Sequence, residues 1–176
     1  MSAHPDPLTE QLLAALEPIL ARVAALDLAA ATTAEQIQVI EATLEREFPH
    51  AGAKVQAIGD LIRRGIDAGV LANRGQPEAR FSRVAKASAA THGLSIDIVS
   101  MIGAGLEHTH PAGEVTIGFP AAGIAADPAT DCQFESRRPS WVFLGPGSRH
   151  VPRVEGGRMN LIYFLPNGAV EWHAGA

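Results

Sequence analysis

Two histidines and two carboxylates fall within the ten residues Gly105-Leu106-Glu107-His108-Thr109-His110-Pro111-Ala112-Gly113-Glu114. On an extended strand, residues i and i+2 point to the same side, so His108 and His110 present their imidazoles together. Glu114 follows four positions later, past a Pro-Ala-Gly turn that can fold its carboxylate back to the same point. Two imidazoles and a carboxylate suit a divalent transition metal. A further ligand must come from a strand distant in sequence. Gly145-Pro146-Gly147-Ser148-Arg149-His150 offers one, read as a turn that delivers His150 at the start of a strand. The expected ligand set is therefore His108, His110, Glu114 and His150. Such donors accept Fe, Mn, Ni, Cu or Zn, and the affinity order alone does not choose among them. Surface histidines beside a turn would show part of this pattern, but not the later Gly-x-x-His.

These residues need strands to hold them, and the composition supplies them in the back half. Of 17 glycines, 11 lie from Gly103 onward, with both tryptophans and the only tyrosine. The first seventy residues are instead rich in Ala, Leu, Ile, Glu and Gln. That split predicts an α+β protein, with a helical region over 1–75 and a β-barrel over 76–176. Three helices are readable. Leu8, Leu12, Leu16, Ile19 and Val23 make the first stripe, which Pro18 threatens to kink or divide. The second is read from Thr32, with Glu35 completing a capping box; Ile37, Ile40, Leu44 and Phe48 form its stripe and Pro49 stops it. The third carries Val55, Ile58, Ile62 and Ile66 and ends near Gly69 or Leu71. The stripes are expected to cover the barrel or a second copy of the chain, which favours a homodimer. Strands are expected at Arg80–Lys86, Leu94–Met101, Glu114–Phe119, Trp141–Leu144, Met159–Leu165 and Ala169–His173. Asn167-Gly168 reads as a two-residue hairpin turn joining the last two.

Charge and hydropathy narrow the function classes. The 14 Lys and Arg against 19 Asp and Glu leave a net charge of −5, which disfavours a nucleic-acid surface. The one cysteine, Cys132, forms no intramolecular disulfide and has no nucleophile constellation around it. No apolar run reaches the roughly 18 residues of a membrane span. Met1 to Pro7 lacks signal-peptide character. A cytoplasmic protein acting on a small molecule, without membrane or nucleic-acid partners, is the expectation.

The pattern His108-x-His110-x-x-x-Glu114 followed by Gly147-x-x-His150 resembles the cupin superfamily, whose barrels are double-stranded β-helices. A closer resemblance covers nearly the whole chain. His108-Thr109-His110-Pro111-Ala112-Gly113-Glu114, the run Pro146 to Val154, Gly156-Gly157-Arg158 and the run Tyr163 to Glu171 look like the 4-hydroxylaminobenzoate lyase family. So do Ala72-Asn73-Arg74-Gly75, Phe81-Ser82-Arg83-Val84 and His92-Gly93-Leu94-Ser95-Ile96-Asp97. The resemblance implies conversion of 4-hydroxylaminobenzoate to 3,4-dihydroxybenzoate with release of ammonia, in nitroaromatic breakdown. That reaction has no external redox partner, which agrees with the lack of a dinucleotide fingerprint.

Such a reaction needs help for the leaving hydroxyl and a positioned water. A metal on the four ligands would serve, with Glu114 as both ligand and catalytic group. Glu107 is a candidate for proton transfer. The substrate carboxylate needs a cation, for which an arginine fork fits. Arg80, Arg83, Arg149 and Arg158 are candidates, with Arg83 first and Arg149 second. Trp141 and Phe119 are expected to line an apolar slot for the ring. His4, His50, His92 and His173 fall outside the metal pattern. Two other readings share the same residues: another metal-dependent cupin enzyme (a dioxygenase or isomerase), or a non-catalytic cupin that binds a small molecule.

Overall fold

The structure is a computed structural model describing residues 6–121 and 132–173; His4 lies outside them. Helix α1 spans Pro7–Ala24 and starts where the Asp6 carboxylate accepts the Leu8 N–H at 2.9 Å. Pro18 does not divide it. Leu12, Leu16, Ile19, Leu20 and Val23 are buried on both sides of the proline, and their packing outweighs one lost helix hydrogen bond. Helix α2 spans Ala34–Glu47, one residue later than the spacing of Thr32 and Glu35 predicts. Its capping box uses Thr33 and Gln36. The Gln36 amide oxygen accepts both the Thr32 and the Thr33 N–H at 3.0 Å, a reach that favours this frame of the Thr-Thr/Glu-Gln doublets. Helix α3 spans Ala53–Asp67, and the chain leaves it through Gly69 at φ +71°.

Among the described residues ten strands follow: β1 Arg74–Gln76, β2 Ala79–Ala85, β3 Leu94–Ala104, β4 His108–His110, β5 Glu114–Pro120, β6 Gln133–Phe134, β7 Trp141–Leu144, β8 Ser148–His150, β9 Arg153–Pro166 and β10 Glu171–Trp172. One antiparallel sheet runs β1-β2-β3-β9-β5-β7 with β6 also on β9, and a smaller one runs β10-β4-β8. This is a helical front followed by a sheet-rich domain, as the composition split predicts. His150 ends its strand rather than starting one.

Period-two alternation sorts the large sheet's side chains to two faces. Ile96, Ile98, Ile117, Phe119, Trp141, Phe143, Ile162 and Phe164 share one buried cluster with Leu16, Leu44, Ile58 and Ile62 of the helices. Met101, Val142, Val154, Met159, Leu161, Tyr163 and Leu165 form a second cluster on the inner face. The helical stripes are thus consumed by the chain's own sheet, and the homodimer expected from them loses that ground. Helix α2 also covers the edge strand β7, because the Glu41 carboxylate accepts the Phe143 N–H at 2.9 Å while paired with Arg137.

The Asn167-Gly168 turn forms, with φ of 56° and 66° and a Gly168 N–H to Leu165 carbonyl bond of 3.0 Å. The strand beyond it does not pair back on β9, contrary to the hairpin reading. Both edges of β9 are occupied there: Leu165 faces Ser95 of β3, and Phe164 faces both Ile96 of β3 and Val115 of β5. Strand β10 therefore crosses to the small sheet and pairs with β4.

Candidate metal centre

The chain delivers four donors to one point by two strand pairings and one turn. On β4, His108 and His110 alternate around Thr109, so both imidazoles face inward and both are buried. Strand β8 lies antiparallel to β4 with His150 directly opposite His108. Adjacent opposite residues share a face, so His150 joins them. The turn after His110 closes through a Gly113 N–H to His110 carbonyl bond of 3.2 Å. Gly113 adopts φ +87°, and a Cβ there would lie 3.0 Å from the Leu144 carbonyl. Glycine is what that turn requires. Strand β5 then begins at Glu114, which is 1% exposed. Ligand atoms of His108, His110, Glu114 and His150 all lie within 4.8 Å of one another.

The donor chemistry fits a cation. His110 Nε2 lies 2.8 Å from Glu114 Oε2 and 3.1 Å from His150 Nε2. One proton on that nitrogen serves only one of the two neighbours. Moving the proton to His110 Nδ1 leaves electron pairs facing each other, and Nδ1 is itself buried without a partner among the described residues. A metal ion among the three atoms removes the conflict. Surrounding groups preset the tautomers that a metal needs. His108 Nδ1 lies 2.8 Å from the Leu106 carbonyl, which turns its Nε2 lone pair inward. Burial foremost, with the neighbouring His110 and His150, lowers the His108 pKa and so favours the neutral, ligating form. Thr116, two residues on along β5, donates to Glu114 Oε1 at 2.6 Å. Glu135 Oε2 stands 3.5 Å from His150 Nδ1. Burial works against the Glu135 charge, but the contacts with His150 and the Arg153 N–H outweigh it and hold the pKa low.

The remaining sequence candidates separate by face. Glu107 and Arg149 pair at 2.7 Å beside the small sheet. Arg149 and Thr109 lie opposite each other on the face away from the histidines. That pairing lowers the Glu107 pKa and aims its carboxylate outward. Phe119 and Trp141 do not line the centre. Phe119 is an odd step from Glu114 along β5, so it faces the helices, stacks on His50 at 5.3 Å and packs over Gly59 of α3. Trp141 lies opposite Ile117 and donates its indole N–H to the Phe48 carbonyl at 2.8 Å. Arg83 does share the inner face: Arg83, Asp97, Tyr163 and Thr116 lie in one cross-strand row. Its guanidinium is paired with Asp97 at 2.9 Å. Arg80 lies opposite Ser100, and Arg158 donates to the Ser100 and Pro77 carbonyls.

Four residues at the centre escaped the sequence reading. Thr116 was findable, because period two from Glu114 reaches it. Tyr163 and Glu135 come from β9 and the β6 turn, and no local spacing points to them. Tyr163 is buried near Glu114 and Glu135, and burial first, then those carboxylates, pushes its phenol pKa well up. Trp172 lies directly opposite His108, its ring centroid 4.9 Å away, because β10 joined β4.

Known proteins resemble this chain in sequence and, more distantly, in fold. A family model for 4-hydroxylaminobenzoate lyase matches residues 23–172. The 4-hydroxylaminobenzoate lyase of Pseudomonas putida is 28% identical, with 76% of this chain and 82% of that protein covered. Among solved structures, the DMSP lyase DddQ of Ruegeria pomeroyi DSS-3 is 17% identical with a TM-score of 0.47, covering 97% of this chain and 100% of that one. An RmlC-like cupin protein of Ralstonia eutropha is 10% identical with a TM-score of 0.35, over 52% of this chain and 57% of that one.

Proposed function

The chain belongs to the 4-hydroxylaminobenzoate lyase family, and from that premise we propose that it converts 4-hydroxylaminobenzoate and water to 3,4-dihydroxybenzoate and ammonia. The observation that carries the reading is the convergence of His108, His110 and Glu114, all buried, with the half-buried His150, in a chain most of which the family model spans. The equation balances without a redox partner. Nitrogen is reduced as the N–O bond breaks, the ring is oxidised at the neighbouring carbon, and one water replaces nitrogen on C4.

A divalent transition metal bound by the four side chains would supply Lewis acidity toward the N–O oxygen or a water. The chain's own residues do the rest. Thr116 holds one Glu114 oxygen, leaving Oε2 directed at His110. The Leu106 carbonyl orients His108, and the Glu135 carboxylate stands 3.5 Å from His150 Nδ1 without a hydrogen bond to it. Phe134, Val142, Leu161 and Leu165 cluster with Tyr163, which lies near Glu114, and this apolar face favours an apolar ring. Arg83 is the proposed partner of the substrate carboxylate, because it shares the concave face with Tyr163 while Arg149 does not. Glu107 is left as an outward ion-pair partner rather than a proton carrier.

Anaerobic incubation of metal-loaded protein with 4-hydroxylaminobenzoate is expected to yield ammonia and 3,4-dihydroxybenzoate in equal amounts. Turnover only with consumption of oxygen would move the protein to the dioxygenase class. Binding without either product would make it a small-molecule-binding cupin.

A further inference from the structure

The two tryptophans have opposite environments. Trp141 is 2% exposed, with its N–H bonded to the Phe48 carbonyl. Trp172 is 66% exposed on the edge strand β10. Its position is set by strand pairing: Trp172 lies opposite His108, and His108 lies opposite His150. The three side chains therefore form one row on the face that carries the metal ligands. The indole meets the His108 ring at a centroid distance of 4.9 Å and an angle of 50°. That tilted contact leaves most of the residue exposed. The result is a flat, apolar surface standing open beside a buried polar centre.

We propose that Trp172 is a specificity-determining residue, on whose indole face the ring of an aromatic acid stacks while its reacting substituent reaches the His108–His150 group. The proposal rests on the aromatic-acid reading above and deepens it, and it replaces Trp141 and Phe119 as the source of the aromatic slot. A stacked ring gains from offset aromatic contact and from removal of two apolar faces from water. A non-planar ring of the same charge lacks the first and meets the flat indole over less area. Trp172 touches a ligand histidine, so the competing role is a cover over His108, which would act through metal retention alone.

The experiment measures binding to metal-loaded full-length protein by calorimetry, using 4-hydroxybenzoate as a flat unreactive probe and cyclohexanecarboxylate as its non-planar counterpart. Metal content is measured on every sample. Trp172→Ala is expected to weaken 4-hydroxybenzoate by about tenfold and cyclohexanecarboxylate by no more than about twofold, at unchanged metal content. Trp172→Phe should recover most of the loss. Equal loss of both acids, no loss of either, failure of 4-hydroxybenzoate to bind the wild type, or a drop in metal content that accounts for the change overturns the platform. The two readings fail separately. Trp172-dependent binding in a protein that makes neither ammonia nor dihydroxybenzoate keeps the platform and removes the lyase. Full turnover by Trp172→Ala at unchanged KM keeps the lyase and removes the platform.

Discussion

At His110 Nε2, a carboxylate oxygen at 2.8 Å and an imidazole nitrogen at 3.1 Å compete for one proton, and a cation resolves the competition. His110→Ala removes a ligand and opens a void in a side chain that is 1% exposed. Loss of a partner that merely supports a ligand costs about 10–100-fold in metal affinity, and loss of the ligand itself should cost at least that. Elemental analysis after dialysis is expected to find metal in the wild type and little in His110→Ala; equal content in both removes the four-ligand assignment. Arg83 offers the second test. Its side chain is 42% exposed and already paired with Asp97, so solvent and that carboxylate dilute what a substrate can gain. Arg83→Met should weaken 4-hydroxylaminobenzoate by about 1–2 kcal/mol while leaving hydroxylaminobenzene nearly unchanged. Equal effects on both compounds would show that Arg83 does not read the carboxylate. His108 and His110 were legible because residues i and i+2 on a strand share a face whatever the rest of the fold does. Phe119 and Trp141 were misplaced because aromatic character does not reveal which face of a sheet a residue occupies. Counting from Glu114 would have placed Phe119, since the odd step of five turns it away. Trp141 needed its pairing with Ile117, which only the folded sheet shows.

Turns and caps set where each element starts, and here they also set where the ligands point. Gly113 is the sharpest case, with φ +87° and room for a Cβ closed off by the Leu144 carbonyl, which would stand only 3.0 Å away. Gly113→Ala combines backbone strain with a backbone clash, so a cost of about 1–3 kcal/mol is expected. The displaced segment carries Glu114, so metal content should fall as well. Gly69→Ala is the matched control, because its φ is +71° but nothing would lie within 4 Å of its Cβ. It should cost about 1 kcal/mol or less and leave metal binding intact. If both variants behave alike in denaturation and metal analysis, Gly113 does not position Glu114. The sequence showed the existence of all three helices, since each presents a long 3.6-residue stripe. It left open whether Pro18 divides α1, and it misled at the cap frame of α2 and at the destination of β10. In each case tertiary packing or an occupied strand edge decided between locally acceptable choices.

The whole molecule is held by a core that crosses the boundary between helices and sheet. Ile58 and Ile62 of α3 lie in the same buried cluster as Ile96, Ile117, Phe119, Trp141 and Phe164. The composition change near residue 75 marked a change of secondary structure, but composition does not say whether two regions share a core. A barrel without its helices would leave the outward row of Ile96, Ile98, Ile117, Phe119, Trp141 and Phe164 facing water, an apolar patch that soluble monomers rarely expose. Helices without the barrel would expose the matching stripe of Leu12, Leu16, Leu44, Ile58 and Ile62. Heat should therefore unfold both parts in one step, with helical circular dichroism and tryptophan fluorescence tracing the same transition. Ile62→Ala, at a position fully buried in α3, should lower stability by about 2–5 kcal/mol and move both signals together. Metal binding favours the folded state from the barrel side, by about 2.7 kcal/mol at a free metal concentration one hundred times Kd. Through the shared core, it should raise the melting temperature of the helical signal by the same amount as that of the fluorescence signal. A chain cut to begin at Arg74 is expected to be insoluble or to bind hydrophobic dyes. If that fragment instead folds, binds metal and melts cooperatively, the helices are an accessory to an independent barrel, and the single shared core is not what holds the metal centre in place.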